Sequence, residues 1–233
     1  MMLPLVFAAA LTGGPAHAVS VRWERNFDEA LKKARAARKP LIVDFWADWC
    51  GWCRRLDETT YADPGVMRLL EGFVTVNIDT EGGRHEAAVA TRVMAWEAAL
   101  ERDPSDASAV AGLGVHLFEQ EAYEEAYALL ARAVAADAER PPGERKKTRL
   151  ILAIMNNHRH HYERSETLLK EALGLRPAGP LDAKLLFVLS RAYIAEGREA
   201  DARAALKELL ASHAESPMAE KARETLVALD RNR

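Results

Sequence analysis

A chain of 233 residues, 49% hydrophobic and 29% charged, is long enough for one or two packed domains. Its formal net charge of −3 argues against a nucleic-acid binder, which carries a basic excess, so no nucleic-acid partner is expected. Two cysteines, both at one place, leave none for a structural disulfide framework.

Residues 1–18 read as a signal peptide. An apolar run from Leu3 to Leu11 is too short to span a membrane, and Ala16-His17-Ala18 forms an A-x-A cleavage site. The expected mature protein starts after Ala18, is periplasmic or secreted, and has no stable membrane span. In such a compartment a disulfide persists.

Val19 to Glu24 alternates (Val19, Val21, Trp23) and reads as a short strand. Asn26 is the expected N-cap of a helix over Phe27–Ala37, with Phe27, Ala30, Leu31 and Ala34 on one face. The apolar run Leu41–Trp46 reads as a buried strand. A helix follows from about Cys50 to Leu70, interrupted at Tyr61–Gly65 because Pro64 cannot continue the hydrogen-bond ladder. Val74–Ile78 is the next strand, and a strand–helix–strand order gives parallel neighbours with a right-handed crossover. Thr80–Gly83 is a turn, and everything after it reads as helix.

The chemistry is concentrated at Cys50 and Cys53. A strand that ends in Cys-x-x-Cys and runs into a helix puts the first sulfur at the helix N-terminus. There the free N–H groups and the positive end of the dipole favour a thiolate. Arg54 and Arg55 add positive charge, and Cys53, one turn on, can close a disulfide with Cys50. A dithiol/disulfide exchange centre needs this arrangement. A zinc site would need two more ligands, and no second cysteine pair exists, so no metal is expected. His158, His160 and His161 read as a solvated turn, and His85 stands alone.

The run Lys39–Cys53 resembles the active-site region of the thioredoxin superfamily, above all exported thioredoxin-like proteins with Trp-Cys-Gly-Trp-Cys. Val74–Asp79 resembles the strand that follows the active-site helix, and the likeness covers roughly residues 21–90. It implies that Cys50 attacks, Cys53 resolves, and Asp44 is the buried acid that moves the resolving thiol's proton. Trp49 is then the aromatic packed beside the site. Gly51 and Trp52 influence the redox potential, Trp52 replacing the proline of ordinary thioredoxin. Trp49, Gly51, Trp52 and Arg54 form the rim toward a protein disulfide or dithiol substrate, with Trp52 touching it. Where the family often has a lysine near the acid, Thr75 takes the matching place. The redox-active disulfide is the implied redox group, with no other cofactor. The sequence departs from the family after Asp79. No cis-proline loop, β-hairpin or final helix follows, and residues 84–102 already read as helix, so residues 19–91 form a truncated thioredoxin-like domain.

The second half repeats. Tyr123, Tyr162 and Glu199 each open a helix after a short break, and amphipathic helices Ala107–Glu119, Arg145–Asn157 and Leu181–Ala195 precede them. This resembles tetratricopeptide repeats. Leu113, Gly114, Leu117, Tyr123, Ala126, Leu130 and Ala133 fall on the expected positions of one unit, and Pro177 on the proline of the next. Arg140–Gly143 reads as an inserted turn and Pro217–Asp230 as a capping helix. Val93–Pro104 looks like a second helix lacking its first, which puts the join near Thr91 or Arg92 and the repeat domain at 92–233. Stacked repeats form a concave groove, which Val115, Phe118, Ile154, His158, Phe187 and Arg191 are expected to face and where a protein partner would bind. Arg149 and Asn156 fall on core positions, against the register.

The expected architecture is thus α/β plus all-α, a partial thioredoxin-like fold followed by a repeat α-solenoid. The expected function is exported thiol–disulfide exchange with a repeat-bound partner. The alternative is a non-catalytic repeat adaptor with a vestigial thioredoxin-like domain. A copper or haem maturation accessory rests on fold analogy alone.

Overall fold

The computed structural model describes residues 21–137 and 139–231. The expected leader and its cleavage site lie outside the described residues. The chain divides into two compact units, one up to Thr91 and one from Arg92.

The first unit is built on three parallel strands, β1 (Trp23–Glu24), β2 (Leu41–Trp46) and β3 (Val74–Asp79), in the order β1-β3-β2. The β2–β3 register runs from Leu41 opposite Val74 to Trp46 opposite Asp79. Of the strand expected over Val19–Glu24, Val19 and Ser20 lie outside the described residues, and among those described Trp23 and Glu24 pair with β3. The first helix, α1 (Phe27–Ala37), starts where Asn26 caps it by accepting the Glu29 N–H at 2.9 Å. Its apolar face, Phe27, Ala30, Leu31 and Ala34, is buried together with Val76 and Ile78 of the central strand.

Beyond β2 come α2 (Gly51–Thr59) and α3 (Pro64–Leu70), then α4 (Arg84–Arg102), within which the division between the units falls. The break between α2 and α3 follows from Pro64, which stands in the first turn of α3. Asp63 caps α3 by accepting the N–H groups of Gly65 and Val66 at 2.7 and 2.9 Å. The strand read as buried, β2, is only half-buried at all six positions, and α2 and α3 bury no residue. An apolar run is fully buried where both edges and both faces are covered, and β2 is the outer strand of the sheet.

The second unit is a helical-repeat array: α5 (Ala107–Glu119), α6 (Tyr123–Ala135), α7 (Pro142–His158), α8 (Tyr162–Gly174), α9 (Asp182–Ala195), α10 (Glu199–Ser212) and α11 (Met218–Arg231). The pairs α5/α6, α7/α8 and α9/α10 pack closely, and α11 lies on α10 and α9. Small residues set the approach: a Cβ on Gly112 would lie 2.3 Å from the Trp96 ring, and one on Gly114 3.0 Å from Leu130. Of the turn expected over Arg140–Gly143, Arg140 and Pro141 lie in the connection before α7, and Pro142 and Gly143 lie in the helix. Pro142 opens α7, where its missing N–H is no loss.

The two residues that broke the repeat pattern are buried with partners. Arg149 is paired with buried Asp137 and reaches Glu171 at 3.1 Å. Asn156 donates to the Leu152 carbonyl at 2.8 Å and accepts the Tyr127 hydroxyl at 3.2 Å. Nearby, buried Lys146 meets Asp182 at 2.6 Å and the Pro177 carbonyl at 3.1 Å. A buried charge stripped of its partner costs about 3–5 kcal/mol. Asp182→Ala is therefore expected to lower the thermal midpoint sharply, and Lys146→Met with Asp182→Leu together much less, as read by far-UV circular dichroism.

Glu166 gives a pH-dependent case. Hydrogen bonds from Arg198 and Lys170, both at 2.7 Å, and from Tyr193 at 3.0 Å hold its carboxyl down from 4.5 to about 2. A lowered folded-state pKa stabilises above the unfolded value and loses that stability as pH falls through the window between the two. Glu166→Gln is expected to lower the melting temperature at neutral pH and to flatten its decline between pH 4.5 and 2.

Candidate redox site

The site forms where β2 gives way to α2. The chain leaves Trp46, turns through Ala47 and Asp48, and enters the helix at Cys50, which occupies the N-cap position. The Cys50 sulfur accepts the Cys53 N–H at 3.2 Å, the place an Asp or Ser oxygen ordinarily takes. The two sulfurs form a disulfide, and both residues are half-buried. The Cys53 sulfur lies 3.9 Å from the Phe45 carbonyl oxygen, so the pair sits against the C-terminal end of β2.

Asp44 is one residue back along β2. It is half-buried, not enclosed, and accepts a 2.7 Å hydrogen bond from the Asn77 amide. Burial raises its pKa above 3.8, the Asn77 hydrogen bond opposes this, and the Asp57 carboxylate adds to the rise. Burial likewise raises the Tyr61 hydroxyl, with Asp44 and Asp57 contributing. The residue beside the acid is not Thr75. The register sets Thr75 opposite Ile42 and Asn77 opposite Asp44, while the Thr75 hydroxyl donates to the Arg22 carbonyl at 2.8 Å. Asn77 and Asp57 were both missed in the sequence. The i, i+4 spacing of Cys53 and Asp57 was a sequence signal for Asp57, while the register that sets Asn77 opposite Asp44 is fixed only in the folded sheet.

The rim residues stand out in solvent. Trp49, expected to pack beside the disulfide, is largely in solvent. It is 72% exposed, with its indole N–H on Glu81 at 2.8 Å. Trp52 is 78% exposed, and Arg55 lies 5.5 Å from its ring centre. Arg54 turns back to donate to the Asp48 carbonyl at 3.2 Å. A Cβ added at Gly51 would meet nothing within 4 Å, so no close approach requires glycine there.

In the repeat unit, Phe118 and His158 line a cavity of about 370 Å³ with Tyr123, Met155 and Arg159. Ile154, His158, Phe187 and Arg191 line another of about 300 Å³ with Asn157 and Tyr162. Val115 is half-buried on α5 and lines neither. Tyr162, Asn157 and Arg159 line these cavities in addition to the expected residues. His160 contacts the Tyr162 hydroxyl at 2.8 Å, and among the described residues no group of three or more His, Cys, Asp or Glu could hold a metal ion.

Residues 22–99 match the thioredoxin-like family model, and residues 93–141 and 159–229 match models of the tetratricopeptide repeat. The chain carries a thioredoxin-like domain and tetratricopeptide repeats. It is similar to the thiol:disulfide interchange protein DsbD of Campylobacter jejuni strain RM1221, 29% identical over 70 residues, which is 30% of this chain and 12% of that protein. The DsbD of Vibrio vulnificus strain CMCP6 is 34% identical over 61 residues, 26% of this chain and 10% of that protein. That of Ralstonia nicotianae is 35% identical over 66 residues, 28% and 11% respectively. The chain thus spans only a small fraction of the length of these curated relatives. The crystal structure of MamA aligns with a TM-score of 0.45 at 18% identity, over 66% of this chain and 76% of that one.

The raised pKa of Asp44 in the thioredoxin-like domain fixes a sign. Folded Asp44 holds its proton to higher pH than the unfolded chain does, so stability falls as pH rises from 3.8 through the folded value. Asp44→Asn is expected to raise the melting temperature at pH 7 and to leave it unchanged below pH 3.8.

Proposed function

We propose that the chain is an exported thiol–disulfide oxidoreductase. It works through Cys50 and Cys53, and its repeats hold a protein partner. The thioredoxin-like domain is assigned to residues 19–91 and the repeat domain to 92–233. The observation that carries this reading is Cys50 as the cap of α2, its sulfur on the Cys53 N–H and the second sulfur in bonding distance. In the reduced protein that N–H and the helix dipole favour a Cys50 thiolate.

The thiolate attacks one sulfur of a partner disulfide. That S–S bond breaks, the departing sulfur leaves as a thiolate, and a mixed disulfide forms. Cys53 then gives up its proton and attacks the Cys50 sulfur, which closes the intramolecular disulfide and frees the second partner thiol. Two electrons pass from the chain to the partner, and the reverse sequence oxidises a partner dithiol. Asp44 takes and returns the Cys53 proton. The carbonyl oxygen of its neighbour Phe45 lies 3.9 Å from the Cys53 sulfur, and burial raises the Asp44 pKa, the direction a proton carrier needs. The redox-active disulfide is the redox group we assign.

Export is supported by the composition of residues 1–18, with cleavage after Ala18. Among the described residues no helix is long and apolar enough to cross a membrane. The partner groove is assigned to Phe118, Ile154, His158, Phe187 and Arg191, with Val115 on the same helix as Phe118.

One observation favours a second reading, a repeat adaptor with a vestigial redox domain: α2 and α3 bury no residue. Equilibration of the full chain in glutathione buffers separates the two. The exchange reading expects a reversible Cys50–Cys53 couple and reduction of insulin disulfides that Cys50→Ser abolishes. A chain that binds its partner but shows neither is an adaptor.

A further inference from the structure

The outer edge of β2 has a defined chemistry. Two hydrogen bonds, from Val74 N–H to the Pro40 carbonyl and from Thr80 N–H to the Trp46 carbonyl, both 2.9 Å, set the phase of the ladder. With the register Leu41–Val74 to Trp46–Asp79, the main-chain groups of Ile42, Asp44 and Trp46 face β3. Those of Leu41, Val43 and Phe45 therefore face away from it. Among the described residues no hydrogen bond reaches the main chain of Leu41 or Val43, and the Phe45 carbonyl meets only the Cys53 sulfur. The row of free groups thus ends at the disulfide.

We propose that this edge docks an extended segment of the protein whose sulfur Cys50 exchanges with, so that the segment adds a strand to the sheet outside β2. This rests on the exchange reading above and names how the partner is held. Alternating N–H and C=O groups at strand spacing are complementary to an extended backbone and not to a helix. A strand paired with Leu41, Val43 and Phe45 runs directly to the sulfur pair. Exposed Trp52 and Leu56 stand on α2, the helix that follows the sulfur pair. A second copy of this chain fits less well. Two-fold antiparallel pairing of β2 with itself carries the two disulfides to opposite ends of the joint sheet. Centred on Asp44 it also sets two carboxylates opposite each other.

The test uses the full chain as Cys53→Ser, leaving Cys50 as the one thiol. The probe is a short peptide of alternating valine and threonine whose single cysteine is a mixed disulfide with thionitrobenzoate. Cys50 thiolate attacks the peptide sulfur, the peptide–aryl S–S bond breaks, and the yellow aryl thiolate leaves, so colour reports the rate. N-methylation of one alternate set of peptide residues is expected to slow the reaction on the order of tenfold, from two lost hydrogen bonds, and methylation of the other set to leave it unchanged. Val43→Pro removes an outward N–H without touching the β3 ladder. It is expected to slow the peptide and not the small symmetrical aryl disulfide.

Equal rates for all peptides overturn the docking mode while exchange itself stands. The mode also falls if the amides of Leu41, Val43 and Phe45 in the free chain exchange with deuterium as slowly as those of Ile42 and Asp44, or if a dimer protects them. No reaction with the small disulfide removes the exchange reading, and the docking inference with it.

Discussion

The sulfur of Cys50 caps α2 four residues after β2 ends, and the candidate redox site depends on that position. As the cap of α2 it satisfies the Cys53 N–H, one of the donors every helix leaves open at its start. A thiolate accepts such a bond more strongly than a neutral thiol. The interaction that starts the helix is therefore also one that favours the reactive form of the cysteine. Because α2 is nine residues long and buries none of them, little else fixes it. Helices below about 12 residues are marginal alone, so the cap and the Cys50–Cys53 bond carry a large share of the order of α2.

The sheet supplies the fixed frame. Its central strand holds Val76 and Ile78 fully buried, with the apolar face of α1 buried alongside. Six consecutive register pairs hold β2 to that strand, and the last of them lies four residues before Cys50. The first unit is thus firm at β3 and open toward β2 and α2. The repeat unit is held differently. Each helix pair buries Leu and Ala against its mate, and the charged pairs Lys146–Asp182 and Arg149–Asp137 lie inside the array. Such pairs are satisfied only in one register, which ties neighbouring helices in a way that interchangeable leucines do not.

Much of this was legible in the sequence because it is local. Asn26 followed by Phe27, Ala30, Leu31 and Ala34 defines both the start and the buried face of α1. Pro64 breaks the helix after the cysteines, and Tyr123 and Tyr162 open the repeat helices as expected. What was not legible depends on distant partners. Leu41–Trp46 is equally apolar in the middle of a sheet or at its edge, so the run alone predicted burial. The neighbour of Asp44 turned on a strand register that shifts the choice from Thr75 to Asn77. Arg149 looked misplaced because its acid, Asp137, lies in a connection with no periodicity to mark it.

The opening at β2 bears on how such a site works. A reactive sulfur has to admit another protein's backbone, and an enclosed one does not. Covering β2 and α2 with more of the same chain would bury Leu41, Val43, Phe45 and Leu56 and steady the helix, at about 25 cal/mol for each Å² covered. It would also occupy the approach to Cys53 along the Phe45 carbonyl. The first unit forgoes that stabilisation next to the disulfide, and Trp49 and Trp52 stay exposed to solvent. Departures from good packing that gather around one reactive group are the pattern a functional site leaves in an otherwise consistent fold. Here they gather around a pair of sulfurs at the end of an unpaired strand edge.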